Sequence, residues 1–184
     1  MKRNVLGVMA AVVAIAASTP AAQAQNPMSF GIAAGATIPT GDIADAVKTG
    51  FHGMATLGFT PAMVPFGVRI DGMYNSLAGE ADVFGSGTGE IDLRVIGVSA
   101  NGIFALPAMA ASPYIIGGVG YYNTKFDLDN VDAENDFGLN VGIGMKFNLS
   151  GFGTFAEVRY HNIFNGDDDV DNYAFIPLTF GIMF

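Results

Sequence analysis

Along most of the chain, apolar residues recur at every second position. In 137–147, Phe137, Leu139, Val141, Ile143, Met145 and Phe147 share one face of an extended strand, opposite Gly138, Asn140, Gly142, Gly144 and Lys146. In 176–184, Ile176, Leu178, Phe180, Ile182 and Phe184 alternate with Pro177, Thr179, Gly181 and Met183. A period of two sends successive side chains to opposite sides of a sheet. Segments of this kind, bounded by Gly, Pro, Asn and Asp, predict eight strands: 28–38, 51–60, 66–75, 91–105, 113–125, 137–147, 153–164 and 173–184. Most match the roughly 9–11 residues that a tilted strand needs to cross the hydrocarbon layer of a membrane. Two are less regular. In 91–105, Ile91, Leu93 and Val95 set one phase and Val98, Ala100 and Phe104 the other, which predicts a β-bulge near Ile96-Gly97. The segment 113–125 is so rich in Gly and aromatics that its facing is not legible.

The connections fall into two kinds. Those at 61–65, 106–112 and 148–152 are short and uncharged, whereas those at 39–50, 76–90, 126–136 and 165–172 hold 14 of the 17 carboxylates. The two kinds alternate strictly. An up-and-down barrel in a membrane has this asymmetry, with tight turns at one end and longer loops at the other. The pattern therefore predicts an all-β fold, an eight-stranded antiparallel up-and-down transmembrane β-barrel. Aromatics gather at both levels: Phe59, Phe66, Phe104, Tyr114, Phe147, Phe155 and Phe184 near the short turns, and Phe51, Tyr74, Tyr122, Phe137, Tyr160, Phe164 and Tyr173 near the acidic loops. Two aromatic belts are expected at the two membrane interfaces.

Composition agrees with strands in lipid: 51% of residues are hydrophobic, only 14% are charged, and there are 25 glycines. The N-terminus reads separately. Met1-Lys2-Arg3, the apolar stretch Val5–Ala17 and the small-x-small Ala22-Gln23-Ala24 form the three-part pattern of a cleaved signal peptide over 1–24, leaving a barrel domain over 25–184. Removing 1–24 leaves 6 basic and 17 acidic residues. So acidic a chain is a poor match for nucleic acid, which requires phosphates to be neutralised by Lys and Arg. With no cysteine, thiolate metal sites and cysteine nucleophiles are excluded.

On these residues the chain resembles the small outer-membrane β-barrel superfamily of OmpA/OmpX-type and OmpW-like proteins. The carriers are Pro113-Tyr114-Ile115-Ile116-Gly117-Gly118-Val119-Gly120-Tyr121, Glu157-Val158-Arg159-Tyr160 and the terminal Phe184. The resemblance implies residence in the outer membrane, in contact with its lipid and lipopolysaccharide. It also implies that Leu178, Phe180, Ile182 and Phe184 act as the signal read by the outer-membrane assembly machinery.

Polar residues inside strands are the candidate site. Arg69 and Asp71 share a face of one strand, Asp92 and Arg94 of the next, Lys146 opposes the lipid face of 137–147, and Glu157, Arg159 and His161 share a face of 153–164. Exposing an Arg or Lys to lipid at the midplane costs about 2–4 kcal/mol, so all eight are expected to point into the lumen and pair there. Two functions follow: a structural or surface-interaction barrel plugged by ion pairs, or a narrow channel for small or apolar solutes. His161-Asn162 is similar to a strand of lipid A deacylase barrels, but Ile163 stands where their nucleophilic serine would be, so no catalytic residue and no enzyme is expected. His52 is expected near the rim. The acidic loops 127–136 and 167–171 suggest weak divalent-cation binding, yet neither matches a calcium loop and solvated charge is the expectation. Gly85-Ser86-Gly87-Thr88-Gly89 lacks the lysine of a phosphate loop. No resident metal or cofactor is expected.

Overall fold

The computed structural model describes residues 27–41, 44, 47–61, 64–78, 92–106, 111–126, 133–149, 152–165 and 172–184. The predicted signal peptide 1–24, the tips of the long connections, the Gly85–Gly89 run and the side chain of Asp92 lie outside the described residues.

Eight strands form: β1 (Met28–Thr40), β2 (Gly50–Phe59), β3 (Phe66–Ala78), β4 (Asp92–Ala105), β5 (Ala111–Phe126), β6 (Glu134–Leu149), β7 (Phe152–Ile163) and β8 (Tyr173–Met183). Each pairs antiparallel with its sequence neighbours, and β1 pairs with β8, so the sheet closes on itself. At the seam, Phe30 and Phe184 exchange backbone hydrogen bonds at 3.0 and 2.7 Å. Closure leaves no row of unpaired N–H and C=O groups, which lipid could not satisfy.

The alternation of the sequence sorts the side chains. Ile70, Val98, Val119, Val141, Ile143, Leu178, Phe180 and Ile182 stand exposed on the outer wall. Both aromatic belts form on that wall: Phe59 and Phe66 at the end of the short turns, and Phe51, Tyr74, Phe137, Tyr160 and Phe164 at the opposite end. Tyr114, Tyr122 and Phe155 do not join them. Their strand phase turns them inward, where they are buried.

Strand β4 carries no bulge. Its register against β3 runs unbroken from Phe66↔Phe104 to Ala78↔Asp92, and against β5 from Leu93↔Phe126 to Ala105↔Tyr114. The phase set by Val98, Ala100 and Phe104 therefore holds throughout. Leu93 and Val95 are inside, 1% and 3% exposed, because the third of this lumen nearest the long connections is itself apolar. There Val47, Leu77, Leu93, Val95, Ile163 and Phe175 pack together.

Glycines on the inner face give the large luminal side chains their space. A Cβ at Gly97, Gly120 or Gly138 would run into the ring of Tyr122, and one at Gly144 into the ring of Tyr114.

Candidate functional site

Strands β3 and β7 stand four places apart in a ring of eight and so face each other across the lumen. Each contributes one cation and one anion at mid-height. Arg69 and Asp71 are neighbours on the inner face of β3, and Glu157 and Arg159 on that of β7; all four are 1–3% exposed. Their charges interlock. The Arg69 Nη2 lies 2.9 Å from each Glu157 carboxylate oxygen, and its Nε lies 2.9 Å from Asp71 Oδ1. Arg159 Nη1 lies 2.9 Å from Asp71 Oδ2, and its Nε lies 2.6 Å from Glu157 Oε1. Each cation touches both anions and each anion both cations, so the cluster is neutral.

Neutral side chains complete the coordination. Tyr114 donates its hydroxyl proton to Glu157 Oε2 at 2.7 Å, and Asn101 donates from Nδ2 to Asp71 Oδ2 at 2.9 Å. Asn140 donates in turn to Asn101 Oδ1 at 2.9 Å. Phe155 lies under the Arg69 guanidinium, 5.5 Å from ring centroid to Cζ, and Arg159 Nη2 lies 3.1 Å from Met54 Sδ. Buried charges are tolerated only with pairing and supplementary hydrogen bonds of this kind.

A second, uncharged layer lies nearer the long connections. His52 bridges Thr37 Oγ1 from Nδ1 and Thr179 Oγ1 from Nε2, both at 3.0 Å. Thr37 donates to Asn75 Oδ1 at 2.8 Å, and Asn75 donates to the Val95 carbonyl at 3.3 Å. This network ties β8, β2, β1, β3 and β4 together. The other histidine, His161 on β7, has its own partners: its Nδ1 lies 2.8 Å from the Tyr122 hydroxyl, and its ring stacks on Phe175 with centroids 4.9 Å apart.

Of the eight residues expected in the lumen, the structure places Arg69, Asp71, Glu157 and Arg159 in one cluster. Lys146 points inward toward the short-turn end, its Nζ 5.5 Å from the centroid of Tyr114. His161 is fully buried, and its ring does not reach the lipid-facing wall. His52 is also buried, at 1% exposure, rather than placed at the rim. Arg94 contradicts the expectation. With the β4 register unbroken it takes the outward phase and stays partly exposed at the end of the long connections, directly opposite Lys125. Near an interface an outward Arg costs only about 0–1 kcal/mol, so the lumen is not required to shelter it. Sequence reasoning missed Asn101, Asn140, Thr37, Asn75 and Tyr114. The two asparagines Asn101 and Asn140 were detectable as amides in the luminal phase of long strands, whereas Tyr114 sits in the segment whose facing was not legible.

Three solved structures illustrate the likeness of fold. Neisserial surface protein A is 18% identical with a TM-score of 0.63, covering 85% of this chain and 94% of that one. A major outer membrane protein from Thermus thermophilus is 14% identical with a TM-score of 0.56, covering 85% and 98%. The outer membrane enzyme PagL is 16% identical with a TM-score of 0.51, covering 84% and 97%. Comparison with curated proteins gave no match. Residues 9–184 match the family described as outer membrane protein beta-barrel domain, and the chain belongs to that family of outer-membrane barrels.

Proposed function

We propose that this outer-membrane protein is a closed barrel with a structural or surface-interaction role, its lumen plugged by ion pairs and its acidic connections turned outward. One observation carries the reading: the Arg69–Asp71–Glu157–Arg159 cluster joins opposite walls at mid-height. An eight-stranded barrel has an interior just wide enough for side chains to fill. Here the apolar layer around Leu77, Leu93 and Phe175 lies to one side of the charges, and Ile103, Tyr114 and Ile116 lie to the other. A solute would have to part both layers and separate four mutually bound charges. No catalytic role is assigned to His161, whose ring is enclosed away from lipid and lies beside Ile163 in place of a nucleophile.

Solute permeation tests this reading. Vesicles carrying the refolded protein should swell no faster than protein-free vesicles in isotonic solutions of small sugars and amino acids. Swelling that scales with the amount of protein would replace the plug with the narrow-channel reading.

A further inference from the structure

At the end of the long connections, the inner wall carries two acidic side chains on one strand. Glu134 and Asp136 fall on the even positions of β6, the phase that sends Gly138 and Asn140 into the lumen. The unbroken register with β5 sets Thr124 directly opposite Glu134 and Tyr122 directly opposite Asp136. Tyr122 does not cover Asp136. Its ring leans over Gly120 and Gly138, and its hydroxyl reaches His161.

Two oxygens there have unmet needs. Thr124 is only 2% exposed, yet its Oγ1 finds no hydrogen-bond partner among the described residues. The Oδ2 of Asp136 is also buried and also finds none. Buried polar atoms almost always have a partner, so a lone hydroxyl beside a lone carboxylate oxygen points to a water or an ion. Ionised carboxylates only accept hydrogen bonds, and what draws Glu134, Asp136 and the Thr124 oxygen onto one point is a cation. Facing Cβ atoms lie about 4.5–5.5 Å apart and diagonal ones somewhat further, so all three side chains can reach it. The layer below is apolar: Val95 stands opposite Thr124 on β4 and packs with Leu93 and Ile163. Such a floor strengthens the attraction between carboxylate and cation.

We propose that Thr124, Glu134 and Asp136 form a calcium site that fastens β5 to β6 where both meet the long connections. Oxygen donors at irregular spacing suit calcium, whose coordination geometry is flexible. Among the described residues no third carboxylate or histidine joins the pair, so water completes the shell. The affinity then falls in the weak range of calcium modules, roughly 0.1–1 mM. The site needs only the register of β5 and β6, so its failure and that of the plug are separate outcomes.

Equilibrium dialysis against radioactive calcium chloride tests the site, with the mature protein refolded in an uncharged detergent at constant ionic strength. The wild type should show one saturable site with a dissociation constant of about 1 mM or below. Asp136→Asn and Glu134→Gln should each weaken it about tenfold, because calcium affinity follows the charge of its ligands. Thr124→Val keeps shape and charge but removes the oxygen, and should weaken binding about threefold or more, whereas Thr124→Ser should retain it. Asp167→Asn, in a different acidic connection, should leave it unchanged. Unheated gel mobility confirms that each variant is folded. Calcium uptake that never saturates would overturn the proposal. So would wild-type binding by folded Thr124→Val, or a loss in Asp167→Asn equal to that in Asp136→Asn, either of which would assign the uptake to diffuse acidic charge.

Discussion

Arg69 on β3 holds both carboxylate oxygens of Glu157 on β7 at 2.9 Å, spanning the width of the barrel. Glu157 also meets Arg159 on its own strand, so one carboxylate answers two guanidinium groups. Glu157→Ala leaves two buried cations with Asp71 alone. Breaking a buried pair by removing one partner costs about 3–5 kcal/mol, with a discount where water can enter. The urea midpoint of the refolded barrel should fall clearly.

Arg94→Ala should behave in the opposite way. The side chain stands on the outer wall at the rim, so its loss should change stability by no more than about 0.5 kcal/mol, as for most surface substitutions. A midpoint shift as large as that of Glu157→Ala would return Arg94 to the charge cluster.

The contrast between these two residues shows what the sequence could and could not reveal. Strand number, strand limits within a few residues and loop parity were all legible, because lipid enforces an apolar outer face along each strand. Facing was legible wherever the inner residues were polar or glycine, as at Arg69, Asp71, Glu157 and Arg159. It failed at the third of β4 nearest the long connections, where Leu93 and Val95 are as apolar as the wall itself. There, apolarity no longer separates lumen from lipid, and the pattern sends Arg94 to the wrong side. Pairing across the ring was out of reach altogether, since nothing in a strand's own sequence names the strand opposite it.

Gly142 tests the close packing around the cluster. Its inner face lies beside Arg159, and a Cβ there would collide with the Val158 carbonyl oxygen and Arg159 Cγ. Gly142→Ala should destabilise by about 1–3 kcal/mol, the usual cost of overpacking. Differential unfolding against Gly53→Ala, where a Cβ meets nothing within 4 Å, supplies the control.

Topology can be probed without background, because the chain has no cysteine. Lys48 is exposed at the end of the long connections, and Val64 is exposed in a short turn. An impermeant thiol reagent applied to intact cells should label Lys48→Cys and spare Val64→Cys. The reverse pattern would invert the barrel in the membrane.

Single-channel recording across a planar bilayer tests the closed lumen most directly. The refolded wild type should give no steady conductance, and Glu157→Ala should open one by removing the carboxylate that joins β3 to β7. A steady, ohmic conductance from the wild type, left unchanged by Glu157→Ala, would contradict the plug.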